Sequence, residues 1–456
     1  MHTWCSLLAV AVAAVGCART PPPRVLLLVT VDTLRADHLG AWGSDLGLTP
    51  HLDALARESL VFETAYAAAP LTLPSLATLF TGRYPEELGI RSNESTLPSG
   101  VPTLATELRE RGWRTAAVVS NFVLREGSGL ARGFDRYDDA LPRREAVRRW
   151  PERIARDATD AALGLLDACA VGRCFVWVHY QDPHGPYDPP PGRREGQLPR
   201  ASDAPDAQRR LPVAADHAGI GAIPAYQFLG GRRDVAFYRA GYRGEVEYVD
   251  EEVGRLLEGL RARRLGDRSV VVFAADHGES LGERDVWFAH GENLGDVQVR
   301  VPLLMRVPGR EPRRRSDVAT LADLCPTLLH LLADVVPGSG AHGRDLLAPG
   351  AERGSSRPYL ATLQGGAVRR FGLVDDGHKL VVSERDGEER VELHRLGHED
   401  ENLAASAPDV ALALRERLRA LRAALPTAPP ETPQPLSDEE RARLRALGYG
   451  QEPAPQ

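Results

Sequence analysis

Three stretches along this chain are apolar without alternation, and each ends in groups capable of chemistry. Residues 24–32 (Arg-Val-Leu-Leu-Leu-Val-Thr-Val-Asp), 174–180 (Cys-Phe-Val-Trp-Val-His-Tyr) and 269–275 (Ser-Val-Val-Val-Phe-Ala-Ala) read as strands buried on both faces of a parallel sheet. The first ends in Asp32. The second runs into Gln181-Asp182-Pro183-His184-Gly185-Pro186-Tyr187, and the third into Asp276-His277-Gly278-Glu279-Ser280. Helical periods over residues 49–65, 103–112, 151–167, 238–263 and 323–332 separate these stretches, and further strands fit residues 115–120 and 299–307. This alternation predicts an α/β fold, a large and mostly parallel sheet flanked by helices.

The pattern changes after residue 345. Short alternating runs between residues 358 and 396 predict a small antiparallel sheet. A helix over residues 410–425, a Pro-rich linker and a terminal helix near residues 438–447 follow. The expected organisation is a catalytic domain over 24–345, an antiparallel α+β subdomain over 346–425, and a linker with terminal helix over 426–456. Residues 189–234 are polar, rich in Pro, Gly and Arg, and aperiodic, as an insertion or lid would be.

Composition narrows the function. The 456 residues carry a formal net charge of -7 and no basic stripe interleaved with aromatics, which argues against a nucleic-acid binder. Residues 7–15 form an apolar core too short to span a bilayer, ending in Ala14-Val15-Gly16-Cys17. This resembles a bacterial lipoprotein signal over residues 1–17, although the n-region lacks Lys and Arg; an ordinary cleaved signal or a buried helix are the other readings. Cys17 would then carry lipid, residues 18–23 would form a stiff tether, and the protein would face the periplasm from a membrane anchor. Cys169 and Cys174 flank a Val-Gly-Arg turn, and could either pair in an oxidising compartment or simply pack.

The segment from Ala69 to Gly82 (Ala-Pro-Leu-Thr-Leu-Pro-Ser-Leu-Ala-Thr-Leu-Phe-Thr-Gly) puts Thr72 at the head of a helix, with Pro74 in its first turn. Thr72 is equally suited to cap that helix or to sit beside an anion held at the helix N-terminus. A parallel sheet gathers its strand ends, so Asp32, Asp276, His277, Asp182, His184 and His290 are expected to meet. Asp32, Asp276 and His277 would hold one divalent ion, with Thr72 as a further ligand. Asp182, His184 and His290 would hold a second ion or the substrate's anion. Asp/His ligands fit zinc or manganese, and the oxygen-rich half would accept calcium.

Val31-Asp32-Thr33-Leu34-Arg35-Ala36-Asp37-His38-Leu39-Gly40 resembles the opening strand of the sulfatase family in the alkaline phosphatase superfamily. The Thr72 segment resembles its nucleophile motif, and Asp276-His277-Gly278-Glu279-Ser280-Leu281-Gly282-Glu283 its metal-binding strand end; Val301-Pro302 and residues 392–403 match as well. The resemblance spans most of residues 24–405 and implies a metal-dependent ester hydrolase of alkaline-phosphatase-like fold. Where the family has the Cys that becomes formylglycine, this chain has Thr72; the motif's Arg is Leu76 and its second metal Asp is Thr33. Ser120-Asn121 stands where the family's sulfate-gripping Lys and His are expected. A Thr nucleophile is more like phosphoethanolamine transferases and nucleotide phosphodiesterases of the same superfamily. The expected activity is hydrolysis of sulfate or phosphate esters of small molecules, glycans or lipids, with Thr72, His184 and His290 catalytic and Asn121 and Arg35 on the substrate. A phosphoethanolamine-transferase-like phosphotransferase and an inactive sulfatase-like binding protein are the alternatives.

Overall fold

In the computed structural model, the described residues are 23–145, 149–197, 206, 208–214, 218–335, 341–363, 368–426 and 432–446. The signal segment with Cys17, parts of the 189–234 insertion and residues 427–431 of the Pro-rich linker lie outside them.

A nine-stranded sheet carries the molecule. Its elements in chain order are β1 (Val25–Val31), α1 (Pro50–Arg57), β2 (Leu60–Tyr66), α2 (Thr72–Thr81), α3 (Leu104–Glu110), β3 (Arg114–Val119), β4 (Arg136–Asp138), α4 (Ala155–Leu166), β5 (Cys174–Tyr180), α5 (Val235–Ala262), β6 (Ser269–Ala275), β7 (Arg300–Arg306), β8 (Arg313–Arg315), β9 (Ala319–Thr320) and α6 (Leu324–Ala333). The order across the sheet is β8-β2-β7-β6-β1-β5-β3-β4, with β9 beside β2. The strands from β6 through β1, β5 and β3 to β4 run parallel, whereas β7 is antiparallel to both β6 and β2. Every residue of β1, β5 and β6 is buried, as their unbroken apolar runs require. This is the α/β fold expected.

The register places the chemistry. Val31 lies opposite Tyr180 on one side and Ala275 on the other, so Asp32, Gln181 and Asp276 leave three adjacent strands at one level. The amides continue the ladder one step further: Asp32 N–H donates to Tyr180 O (2.9 Å) and Asp276 N–H to Val31 O (3.2 Å).

One helical expectation is corrected. Residues 49–65 are not one helix: α1 stops at Arg57, and Leu60–Tyr66 forms β2. Leu-Val-Phe-Glu-Thr-Ala-Tyr is rich in β-branched and aromatic residues, and it fills the slot between β7 and β8, where tertiary pairing outweighs the weak helical period.

The C-terminal sheet comprises β10 (Tyr359–Ala361), β11 (Arg369–Asp375), β12 (His378–Arg385) and β13 (Glu388–Arg395), all antiparallel, with α7 (Pro408–Ala424) packed on it. The last helix, α8 (Asp438–Ala446), returns to the large domain, where Arg443 donates to Pro151 O (2.8 Å). Cys169 and Cys174 form a disulfide, the first of the two alternatives left open by their spacing.

Candidate active site

Asp32, at the end of β1, is fully buried. Its Oδ2 accepts from Asn121 Nδ2 (2.5 Å), while Oδ1 has no hydrogen-bond partner. Asp276, at the end of β6, is equally buried; its Oδ1 accepts from the amides of His277 (2.7 Å) and Thr33 (3.2 Å), and Oδ2 is unpartnered. On the other side of Asp32 from Asp276 stands His179 of β5, whose Nε2 has no partner and lies 3.6 Å from Asp32 Oδ2. One ligand atom from each of Asp32, His179 and Asp276 falls within 4.8 Å of the others. Leaving several buried acceptors unsatisfied is costly, and a cation among them removes that cost. The donor set therefore fits a divalent metal.

The local turn explains how these atoms meet. Thr33 adopts φ +54°, a left-handed conformation uncommon for a β-branched residue. Tyr242 of α5 secures it, donating to Thr33 O (2.8 Å) and accepting from Arg35 N–H (3.0 Å). Gly278 is required by proximity: a Cβ there would stand 2.1 Å from Val297 O.

Thr72 is the first residue of α2, one position inside the N-cap Leu71 rather than at the cap itself. It is fully buried, and its Oγ1 lies 3.4 Å from His277 Nε2. That same nitrogen is 3.7 Å from both Asp32 Oδ1 and Asp276 Oδ2. His277 Nδ1 faces Gly278 O at 2.9 Å, and a carbonyl only accepts, so Nδ1 carries the proton and Nε2 presents a lone pair toward Thr72. Ser75 anchors the same turn by donating to Asp276 O (2.5 Å).

Two further imidazoles complete the pocket. The His290 ring centroid lies 4.5 Å from that of His277 and 5.2 Å from that of His184. His184 Nδ1 is fixed on Gly185 O (2.8 Å), and His290 Nδ1 on Glu279 Oε1 (3.0 Å). Tyr187 donates to the other oxygen of Glu279 (2.9 Å). Burial lowers all three histidines, His277 to about 3 and His290 to about 4, so each is neutral at pH 7. Burial raises Glu279 to about 7, against the pull of His184 and Tyr187. Burial would also raise Asp32, but His184, His179 and His277 outweigh it and hold the carboxylate ionised. Asp276, beside the Asp32 charge, is pushed well above its ordinary range by burial first and by Asp32 second.

Several expected roles change. Asn121 binds Asp32 and, through its Oδ1, the amide of Val123 (2.9 Å), so it orients a carboxylate and is not directed at substrate. Arg35 is committed to Asp37 (2.6 and 2.9 Å), Glu283 (2.8 Å) and Glu279 O (3.2 Å), tying the loop after β1 to the loop after β6. Asp182 and His277 do not join the metal-type group: the carboxyl of Asp182 faces the Ala155 amide at the head of α4, and His179 stands in the place expected of His277. His179 was legible only as one His in an apolar strand, a pattern that more often means a packed core residue. Its partner Thr30, level with it on β1, bonds His179 Nδ1 (2.9 Å) and accepts from Trp177 Nε1 (2.9 Å).

A model of the sulfatase family matches residues 24–335 of this chain. A choline-sulfatase of Rhizobium meliloti (strain 1021) is 26% identical over 357 residues, covering 67% of this chain and 67% of the relative. An ulvan-active sulfatase of Formosa agariphila is 26% identical over 350 residues, covering 71% and 64%. The match thus spans about two thirds of the length of these relatives. The crystal structure of a phosphonate monoester hydrolase of Agrobacterium radiobacter, 21% identical, is alike in fold with a TM-score of 0.70 over 89% of this chain and 96% of that one.

Proposed function

This chain belongs to the sulfatase family, and from that premise we propose that it is a metal-dependent hydrolase of sulfate or phosphate esters with Thr72 as its nucleophile. One observation carries the reading. The Thr72 hydroxyl sits between a helix N-terminus and an unprotonated imidazole nitrogen, beside buried carboxylate oxygens that lack any proton donor.

Asp32, His179 and Asp276 would hold the ion, with Thr72 Oγ1 and His277 beside it. Zinc or manganese suits a nitrogen-containing donor set better than calcium does. When bound, the ion neutralises the carboxylates, polarises the ester's oxygens and lowers the pKa of a hydroxyl next to it. The chain's own groups do the rest. His277 Nε2 accepts the Thr72 proton as Oγ1 attacks sulfur or phosphorus. The Leu73 amide at the head of α2 is taken by Asn93 Oδ1 (2.9 Å) and that of Ser75 by Leu71 O (3.0 Å), and Pro74 has none, so α2 acts on the anion through the positive end of its dipole. His184 and His290, neutral at rest, line the pocket beside His277 and pass a proton from water to the leaving alkoxide, and Glu279 with Tyr187 orients His290. Water then cleaves the Thr72 ester, regenerating the hydroxyl.

Phosphorus is the preferred centre. A formylglycine hydrate expels sulfate by collapsing to an aldehyde, but a Thr ester must be attacked a second time at the same atom. Phosphate monoesters and diesters tolerate that double displacement. The deciding experiment measures kcat/KM for 4-nitrophenyl sulfate, phosphate and a phosphate diester alongside metal analysis of the purified protein. Turnover of none of them, or of all of them without bound metal, would overturn the reading. Export and a lipid anchor at Cys17 belong to the same proposal; the N-terminal pattern and the Cys169–Cys174 disulfide favour an oxidising compartment.

A further inference from the structure

Beside the nucleophile's pocket lies a cavity of about 810 Å³ that shares His184 with it. Its walls include Asp182, Glu152 and Glu245, three carboxyl groups that the ester chemistry leaves unused. Glu245, on α5, is only 3% exposed, and its Oε2 has no hydrogen-bond partner. Asp182 Oδ2 is buried and unpartnered in the same way. The remaining acceptor capacity of each group meets backbone amides, that of Asp188 for Glu245 and that of Ala155 for Asp182. Asp182 and Glu245 repel one another, and Glu152 adds a third carboxyl within range of Asp182.

Six arginines share the cavity: Arg144 and Arg149 are exposed to solvent, Arg144 donating to Arg149 O (3.0 Å), and the other four are committed elsewhere. Arg143 pairs with Asp157 (2.8 Å), and Arg153 with Asp138 (2.5 Å) and Val119 O (3.1 Å). Arg194 donates to Phe237 O (3.0 Å), Tyr187 O (2.5 Å) and Asp188 (3.4 Å), attracting Glu245 only from beyond hydrogen-bond range. Arg443 donates to Pro151 O and stacks over Phe122. The walls therefore offer open acceptors with no donor committed to them.

A bare metal ion does not suit this place. Among the described residues the carboxyls here do not gather with a third ligand atom at metal spacing, as Asp32, His179 and Asp276 do. Burial pushes both carboxyls up, Asp182 to about 7, and a cation that brings N–H donors of its own would let both ionise and fill their open oxygens. We propose that the cavity binds a protonated primary amine on the non-reacting part of the substrate. The preferred class would then be esters of amino alcohols or amino sugars, with the ester at Thr72 and the ammonium on Glu245 and Asp182. This rests on the ester-cleaving role of Thr72.

The test compares kcat/KM for 2-aminoethyl with n-propyl esters, and for glucosamine 6- with glucose 6-esters, as sulfates and phosphates. The ammonium member of a pair should be favoured at least about tenfold. A choline ester, with the charge but no N–H donor, should gain less than the 2-aminoethyl ester. Glu245→Gln and Asp182→Asn should bring the ratio within each pair toward one, each variant serving as its own reference. Preference for the neutral esters, or a ratio that survives both substitutions, would overturn the proposal. If 4-nitrophenyl esters are also left intact, the Thr72 reading has failed by itself. Calorimetry with ethanolammonium chloride against n-propanol then decides: heat of binding lost in Glu245→Gln upholds the ammonium site, and no heat in the wild type overturns it.

Discussion

Lys379 and Asp32 are both buried charges, and their surroundings are built in opposite ways. Lys379 of β12 is 1% exposed; its ammonium donates to Leu294 O (2.8 Å) and Asp296 (2.5 Å) and pairs with Glu399. Tyr66 donates to Asp296 (3.2 Å), the Asp296 amide donates to Glu399 (2.8 Å), and Arg300 attracts Asp296 from β7. Two cations meet two carboxylates, and the three donors of the ammonium are occupied. Around Asp32 the balance is reversed, because two carboxylates meet neutral imidazoles, and Asp32 Oδ1, Asp276 Oδ2 and His179 Nε2 remain unpartnered. A buried cluster whose charges cancel internally staples one part of a protein to another, here the C-terminal sheet to the strand order around β7. A cluster with surplus acceptors is a receptacle for a cation. Burial alone does not separate structural from functional charge; the donor count does.

The comparison breaks most visibly at Thr72. Thr72→Ala is expected to lower kcat/KM by at least about a thousandfold, as removal of a nucleophile does, while the protein stays folded and binds metal. Wild-type turnover in that variant would remove Thr72 from the chemistry. On the closed side, Lys379→Met leaves Asp296 and Glu399 buried against each other and should cost about 3–5 kcal/mol in denaturant unfolding. Turnover by the folded fraction should be unchanged. A loss below about 1 kcal/mol would mean that the Lys379 cluster is no staple.

The same contrast explains what the sequence disclosed. β1, β5 and β6 were legible because double-sided burial demands unbroken apolar runs, and Asp32 and Asp276 because they end those runs. Leu60–Tyr66 does not read as a strand because its seven residues carry a weak helical period, and only the slot beside β7 decides otherwise. His179 was hidden by its surroundings: inside Cys-Phe-Val-Trp-Val-His-Tyr it looks like core, and register alone brings it level with Thr30 and next to Asp32. Asn121 and Arg35 were recognisable as polar residues near the site. Their partners, set by residues 89 and 244–248 positions away along the chain, were not. Local pattern reports which strand ends carry chemistry; it does not report which side chain faces ligand and which faces its neighbour.

Thr30 sharpens the open side. For His179 Nε2 to offer a lone pair, Nδ1 must hold the proton, and Thr30 Oγ1 is the acceptor that keeps it there. Thr30→Val keeps the shape but removes that acceptor, along with the one used by Trp177 Nε1. Metal affinity, titrated calorimetrically into chelator-treated protein, should fall about 10- to 100-fold, as for other partners that orient a ligand. Unchanged affinity would show that His179 does not hold the ion.

The smallest effect is expected from acid on the closed side. Burial works to raise Asp296, but Lys379 and then Arg300 prevail and hold it below the ordinary carboxylate range. A carboxylate depressed by folding adds stability above its unfolded pKa of about 3.9 and loses it as pH falls through the folded value. The stability gap between wild type and Lys379→Met should therefore be full at pH 7. It should narrow by about 1–2 kcal/mol below pH 4, as protonated Asp296 gives Lys379 less to pair with. Unfolding midpoints measured from pH 7 to pH 3 check this directly. A gap that widens with acid would place the decisive charge on some residue other than Asp296.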